Sequence, residues 1–314
     1  MSLLRRRMMC SMLGGGALHS ISVSDTNRVV FAPGNLQYRA SDDTWRFALH
    51  QYDFVGGTGQ RYENGVLVTV TDGNVYENNI RCTHSSMSAT YSGWIDLFGW
   101  GTSGYNSKYP YEWINDYNYY HYGSDIADTD YDWGVYSPIR TALNSSLPAE
   151  KQGNWRTPTS SEWDYLIASR RASTIDGVPN ARYTLATVNT DGSPVKGMII
   201  FPDNYAGGNP TGVTWGTINA PSNYTTSCTS AGWVSLEEAG CVFLPAAGGR
   251  FQRTVNNLQT FGDYASTTYY GTMQVSGTQV PCVYVFVFND SNAITSAIEV
   301  WNYLGYPVRL VKDI

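Results

Sequence analysis

Several runs along the chain have the length and pattern of strands. RVVFAPGNLQY (28–38) is strand-like, and VKGMIIFP (195–202), GCVFLPAAGGR (240–250) and VPCVYVFVF (280–288) are largely apolar. Successive side chains of a strand point to opposite faces, so runs of this kind are typical of half-buried or buried strands. The closing PVRLV (307–311) alternates like a half-buried strand and predicts a final strand.

The run VPCVYVFVF presents two sets of large residues with opposite orientations. One face would carry Tyr284, Phe286 and Phe288, and the other would carry the valines between them. One set must pack on the core, and the pattern alone leaves open which one.

An earlier segment, GVLVTVTDGNVY (65–76), has Asp72 and Gly73 between two alternating runs. Asp-Gly is a frequent turn in two-residue hairpin loops. The segment therefore predicts a hairpin that turns at this dipeptide.

Two short helices interrupt the strands. In WRTPTSSEWDYLI (155–167), Thr159 and Glu162 have the spacing of a capping box, and Trp163 begins an apolar helical face. In TSAGWVSLEEA (229–239), Thr229 or Ser230 would cap a second helix. The order of elements, with long loops between them, predicts a loop-rich α+β fold with few helices. We expect a single domain over residues 21–314, preceded by an arm or tail over residues 1–20.

Composition narrows the classes of function. Charged residues make up only 15% of the chain, against about 25% in typical globular proteins, and the formal net charge is −6. Beyond Arg5–Arg7 there is no basic stripe, which disfavours nucleic-acid binding. No apolar run is long enough to span a bilayer, so membrane insertion is not expected. The segment after Arg5–Arg7 is either a weak export signal or a tail.

The cysteines and acidic residues give little support for a disulfide framework or a metal site. The five cysteines are scattered, and the helix predicted between Cys228 and Cys241 would hold them about 15 Å apart, too far for a disulfide. Cys282 lies in an apolar run and is expected to be a buried packing residue.

The acidic loop SDIADTDYDWG (124–134) could supply calcium ligands from Asp125 to Asp132, but it lacks the EF-hand pattern. Turn formation is the alternative, and no metal or cofactor is predicted.

Several blocks of the sequence resemble a known family. WRTPTSSEWDYLI, FLPAAGGR and PVRLV resemble landmarks of formylglycine-generating-enzyme-type domains, which have a C-type lectin-like fold. A closer resemblance begins near Ile21 and covers nearly the whole chain. With NLQYRASDDTWRFALHQYDFVG (35–56), GWIDLFGWGTSG (93–104) and GYPVRLV (305–311), it resembles the variable proteins of diversity-generating retroelements in gut Bacteroides-type bacteria and their phages.

This resemblance implies a ligand-binding protein of the receptor-binding or adhesin type, located on a virion surface or a bacterial cell surface. It also implies that a C-terminal region, here about 263–306, is diversified and displayed by the scaffold. Tyr264-Ala265-Ser266-Thr267 stands where the family usually has Tyr-Trp-Ser-Ser. The partner would be a protein or a glycan, and a homo-oligomer is a further option.

The alternatives to a ligand-binding protein are a structural virion or cell-surface subunit that uses the same surface for assembly and, less favoured, an oxidase of the formylglycine-generating type. The enzymes use two cysteines near the C-terminus, whereas this chain has only Cys282 there, so we predict that it is not an enzyme.

The residues of the C-terminal region agree with a binding role. Between Thr254 and Val308 there is no Lys or Arg, and Tyr, Ser, Thr, Asn and Val are abundant. Tyr and Trp provide large contact areas at low entropic cost in binding surfaces. NDSNAITSAIEVWNYLGY (289–306) has no clean period, which favours display over packing, with Trp301 and Tyr303 as candidate anchors. The predicted ligand contacts are Tyr269, Tyr270, Met273, Asn289, Ser291, Asn292, Ile294, Ile298, Val300, Trp301, Asn302, Tyr303 and Leu304.

Overall fold

The strands and helices of the protein are taken from a computed structural model that describes residues 19–55, 59–63, 66–70, 89–110, 123–140, 153–190, 194–251, 254–275, 277–290 and 294–314. Within these residues the strands are β1 (Ile21–Ser22), β2 (Arg28–Phe31), β3 (Leu36–Arg39), β4 (Thr44–Phe47), β5 (Gly59–Glu63), β6 (Val66–Val70), β7 (Ile139–Arg140), β8 (Tyr183–Asn189), β9 (Pro194–Ile200), β10 (Val213–Thr214), β11 (Thr226–Thr229), β12 (Val242–Pro245), β13 (Gly249–Phe251), β14 (Thr254–Asn256), β15 (Phe261–Val275), β16 (Thr278–Asn289), β17 (Ile294–Trp301) and β18 (Val311–Asp313). The α-helices are α1 (Trp133–Tyr136), α2 (Ser160–Asp164) and α3 (Ser230–Glu238), and a π turn, Tyr165–Ser169, continues α2.

The strands form small sheets around one larger sheet. The larger sheet has the order β10-β11-β8-β9-β12, and three-stranded sheets have the orders β1-β2-β18, β3-β4-β7 and β15-β16-β17. Two strand pairs, β5-β6 and β13-β14, complete the set among the described residues. The predicted α+β class, rich in strands and loops with few helices, is confirmed.

Strand β16 lies between two cores. Its valines, Val283, Val285 and Val287, join a cluster with β3, β4 and the chain end, which we call the first core. Phe286 and Phe288 point the other way into a second core, which they share with one face of the five-stranded sheet. The valines are therefore buried on one face and Phe286 and Phe288 on the other, whereas Tyr284 is only half-buried.

The other face of the five-stranded sheet packs against α3. Ile199 and Phe243 of the sheet meet Trp233 and Leu236 of the helix in a third core. The order is thus first core, β15-β16-β17, second core, five-stranded sheet, third core and α3. This layering leaves the far end of the β15–β16 hairpin outside the cores.

The two helices begin where the sequence predicts. Glu162 donates its backbone N–H to Thr159 Oγ1 (3.2 Å), and Thr159 donates its own to Glu162 Oε2 (2.9 Å), which completes the capping box. Thr229 is the N-cap of α3 and accepts from the N–H of Gly232. Trp163 of α2 stacks on Phe286 with ring centroids 4.7 Å apart, which fixes the helix against β16.

The predictions for Cys228, Cys241 and Cys282 are also confirmed, whereas Cys10 and Cys82 lie outside the described residues. Cys228 and Cys241 are buried and carry free thiols, one on either side of α3. Burial raises the pKa of the Cys228 thiol to about 12, so it remains protonated at neutral pH. Cys282 is fully buried in β16.

One prediction about strands is corrected and another stays a prediction. Strand β6 pairs with the preceding β5, but Asp72, Gly73 and the residues that follow lie outside the described residues, so the hairpin at this dipeptide is untested. Of PVRLV, only Val311 lies in a strand. The carbonyls of Val308 and Leu310 accept hydrogen bonds from Leu36 and Ala32, in the stretch that joins β2 to β3, whereas that of Pro307 accepts one from Ala265 of β15. The segment is therefore a buried connector between sheets.

Candidate ligand-binding surface

The hairpin of β15 and β16 is longer than the cores that enclose its base. We call residues 270–279, its far end, the arm. Two register shifts interrupt β15, between Ala265 and Tyr269 and between Tyr269 and Gly271, which has φ of 134°. Extra residues at such bulges bend a strand and redirect its side chains. The bulges thus separate a buried inner half from the arm.

The bulged segment is held by hydrogen bonds from neighbouring loops. Thr267 donates its N–H to Pro158 O and accepts from the N–H of Ile126, both at 3.0 Å. Tyr269 donates its N–H to Asp125 Oδ1 at 2.7 Å. Because these contacts come from two different loops, the base of the arm is fixed in direction.

The arm exposes large uncharged side chains. Tyr270 is 40% exposed and Met273 38% exposed, and both are among the few large apolar or aromatic residues of the described chain with such exposure. Between Tyr264 and Asn289 there is no charged residue. The Tyr270 ring packs edge-on against Tyr284, with centroids 5.4 Å apart. Further exposed arm residues, which were not singled out from the sequence, are Thr272, Gln274, Gly277 and Gln279.

A small apolar cluster supports the arm from the side of β17. Val280 and Tyr303 are buried together, and Val275, Trp301 and Leu304 pack around them. Trp301 stacks on Tyr303 with centroids 5.5 Å apart and ring planes 17° apart. This cluster joins the arm to the turn that follows β17.

The predicted contact residues divide by burial. Besides Tyr270 and Met273, four are half-buried and border the surface: Tyr269, Val300, Trp301 and Leu304. Asn289, Asn302 and Tyr303 are 6%, 2% and 5% exposed, so their side chains are enclosed by the protein and are not available for the direct contact that the sequence predicted. Asn302 and Tyr303 are buried because the turn that follows β17 folds back onto β16.

The remaining predicted contacts are on or before β17. Ser291 and Asn292 lie outside the described residues. The register of β17 sets Ile294 opposite Phe288 and Ile298 opposite Val285, and the side chains of both isoleucines lie outside the described part. The stretch that lacked a clean period thus contains strand β17, whose pairing with β16 shifts register between Val285 and Val287, and Val300 packs on the first core.

The proposed diversified span begins at Asp263, whose side chain is partly buried. Asp263 lies on β15 opposite Val287, and Tyr306 lies near it. Burial raises the pKa of Asp263 from 3.8 to about 7. The carboxyl group is therefore poised to change its charge near neutral pH.

Two aspartates of the acidic loop form hydrogen bonds that support the fold. Asp125 accepts the backbone N–H of Tyr269, as described above. Asp132 is fully buried, caps α1 through Gly134 and accepts from the N–H and the hydroxyl of Thr157. Burial raises the pKa of Asp132 to about 6, although these hydrogen bonds oppose the shift. In the described part of the chain, no group of three or more His, Cys, Asp or Glu side chains is arranged to hold a metal ion.

A second polar region lies where the chain end meets α2. Arg156 forms paired hydrogen bonds with Glu162 and with Asp313, at 2.6 to 2.8 Å. Burial by itself would lower the pKa of Arg156, but the two carboxylates raise it above its usual value. All three charges are paired, so this cluster ties β18 to α2.

Comparison with known proteins gives no family. No protein-family model, no curated protein and no solved structure matches this chain. Among the described residues, no helix is long and apolar enough to cross a membrane.

Proposed function

We propose that this chain is a ligand-binding protein of the receptor-binding or adhesin type. In this proposal the fold is of the C-type lectin-like class, formylglycine-generating-enzyme-like subtype. The chain would be a variable protein of a diversity-generating retroelement, displayed on a virion or a bacterial cell. The observation that carries the binding role is the uncharged, Tyr-containing arm on a rigidly bonded base.

The arm has the physical properties of a contact surface. Uncharged side chains lose little hydration energy when a partner covers them, while Tyr and Met offer large areas for contact. The fixed base lowers the entropic cost of ordering the arm on binding. The exposed amides and hydroxyls of Thr272, Gln274 and Gln279 add directional hydrogen bonds.

The proposed contact set is revised by burial. It keeps Tyr270, Met273 and Trp301, with Tyr269, Val300 and Leu304 at its border, and it gains Thr272, Gln274 and Gln279. The other predicted contacts whose side chains lie outside the described residues stay in the set: Ser291, Asn292, Ile294 and Ile298. Asn302 and Tyr303 support the surface from beneath. The partner is a protein or a glycan on a cell surface, bound without a cofactor.

A binding comparison tests the role. The triple variant Tyr270→Ala/Met273→Ala/Gln274→Ala should keep its melting temperature within about 2 °C, because exposed substitutions change stability little. Its binding to intact bacterial cells and to a glycan array should fall at least tenfold from that of the unaltered protein. Ser235→Ala/Glu238→Ala on α3, beyond the third core, is the matched control and should bind normally.

Two outcomes contradict the binding role. One is unfolding of every arm variant, which would make the arm a structural element. The other is full retention of binding by the triple variant.

The variable-protein assignment has a separate test in the DNA downstream of the coding sequence. There we expect a near-copy of the codons for residues 263–306 that differs mainly at adenines, beside a gene for a reverse transcriptase.

A further inference from the structure

The two edges of the arm differ in their capacity to pair with another strand. On the β16 side, Pro281 O accepts the N–H of Asn302 at 3.1 Å, so the backbone of Pro281 faces β17. Proline has no N–H to donate at that edge. The turn after β17 and Pro281 together close this side of the arm.

The same contact fixes which backbone groups point outward on the β15 side. Neighbouring residues of a strand direct their N–H and C=O groups to opposite sides. Since Pro281 faces β17, Val280 and Cys282 face β15, where they pair with Met273 and Gly271.

Thr272 lies between Gly271 and Met273, and Gln274 follows Met273, so the backbone groups of both must face away from β16. Thr272 stands opposite Pro281, and Gln274 stands opposite Gln279. Their N–H and C=O groups point to the open edge of β15. Throughout the described part of the chain, no backbone hydrogen bond joins Thr272 or Gln274 to a segment beyond this hairpin.

Beyond the bulges of β15, the open edge lacks two of the usual protections against pairing, charged residues and proline. Natural edge strands carry charged residues or proline that block another strand. From Gly271 to Val275 the sequence is GTMQV, which has neither. Thr272 and Gln274 are also exposed, so the approach to their backbone is open.

We propose that a second copy of this chain pairs antiparallel along this edge. A twofold axis at Met273 sets Thr272 of each copy opposite Gln274 of the other, which gives two hydrogen-bonded pairs. A second copy fits because the strand is uncharged, so identical strands meet without like-charge repulsion. The pairing is closed by its symmetry and stops at a dimer.

The dimer is expected to be reversible. A five-residue edge buries much less than the roughly 1,200 Å² of a stable interface, so it forms at high concentration or when copies are displayed close together. The faces of the arm stay open, and the two contact surfaces would lie side by side. The dimer does not depend on the proposed ligand-binding role.

Sedimentation equilibrium tests the proposal with a proline pair. The variant Thr272→Pro/Gln274→Pro loses the two N–H groups that point outward. The hydrogen bonds between β15 and β16 use neither of these N–H groups, so the hairpin should be kept. The unaltered protein should approach twice its monomer mass as concentration rises, and the proline variant should remain a monomer. Thr272→Val/Gln274→Val keeps both N–H groups and should dimerise like the unaltered protein.

Residue-resolved amide exchange of the unaltered protein gives a second readout that needs no variant. The amides of Thr272 and Gln274 should exchange at least tenfold more slowly at high than at low concentration. The amide of Met273, bonded within the hairpin, should be protected at both. A monomer at all concentrations, an assembly larger than a dimer, or a dimer in which Thr272 and Gln274 exchange rapidly would overturn the proposal.

Discussion

The carboxylate of Asp125 accepts a hydrogen bond from the backbone N–H of Tyr269, with 2.7 Å between Asp125 Oδ1 and the amide nitrogen. This bond joins the acidic loop to the bulge from which the arm departs. Asp125→Ala should remove it and lower the free energy of unfolding by about 0.5–1.5 kcal/mol. It should also speed amide exchange at Tyr269, which mass spectrometry with residue resolution would detect.

The control for this change is Asp130→Ala, an exposed aspartate of the same loop. It should leave exchange at Tyr269 unchanged. Equal effects of both substitutions would show that the loop acts through its overall charge and not through this bond.

Gly271 permits the turn of the backbone at the second bulge. Its φ of 134° is a conformation that residues with a side chain rarely adopt. A Cβ at this position would have nothing within 4 Å, so the cost of Gly271→Ala is conformational and not steric. We expect a loss of about 1–3 kcal/mol in urea denaturation. A loss below a few tenths of a kcal/mol would mean that the bulge tolerates another backbone geometry. The control is the substitution Thr272→Ala at the neighbouring residue.

Asp263 should make stability depend on pH. Its folded-state pKa of about 7 lies above the ordinary 3.8, so the folded protein holds a proton that the unfolded chain releases. The stability contribution is complete below about pH 3.8 and is lost as pH rises through about 7. Urea denaturation between pH 4 and pH 8 should show a smaller decline for Asp263→Asn than for the unaltered protein. The same decline in both would contradict the assignment, and Asp290→Asn is the control.

Arg309 anchors the chain end in the core. Its buried guanidinium donates to the carbonyls of Ala32, Gln51 and Phe243 and to Asn35 Oδ1, at 2.7 to 3.1 Å. Burial lowers the pKa of Arg309 to about 10, so it remains charged at neutral pH. Arg309→Met would leave these acceptors without donors and should cost roughly 3 kcal/mol or more in chemical denaturation.

Arg309→Lys separates charge from geometry. The ammonium keeps the charge but lacks the planar fork that reaches several carbonyls at once. Its loss of stability should be intermediate and still substantial. A lysine variant as stable as the unaltered protein would show that charge alone suffices there.

The local signals in the sequence were sufficient for individual elements. The capping box at Thr159 and Glu162, the N-cap at Thr229 and the separation of Cys228 from Cys241 depend on residues close together in the chain. Exposure of Tyr270 and Met273 also agrees with the uncharged composition around them. Such features follow from short-range geometry, which a sequence specifies directly.

Other features depend on which distant segments meet. Alternation in β16 assigned its side chains to two faces, but only packing between two cores showed that Val283, Val285, Val287, Phe286 and Phe288 are buried while Tyr284 is half-buried. Asn302 and Tyr303 looked suited to contact and are buried, because their turn folds onto Pro281. The stretch 307–310 alternates like a strand, yet its carbonyls accept hydrogen bonds from two separate parts of the chain, residues 32–36 and Ala265 of β15.

The sequence by itself determined the period of the strands, the starts of the helices and the absence of charge near the arm. The tertiary structure decided which side chains remain exposed, where β15 bends and which of its edges stays open. The reason is physical: periodicity depends on the local backbone, whereas burial and strand pairing depend on partners that the fold brings from elsewhere in the chain.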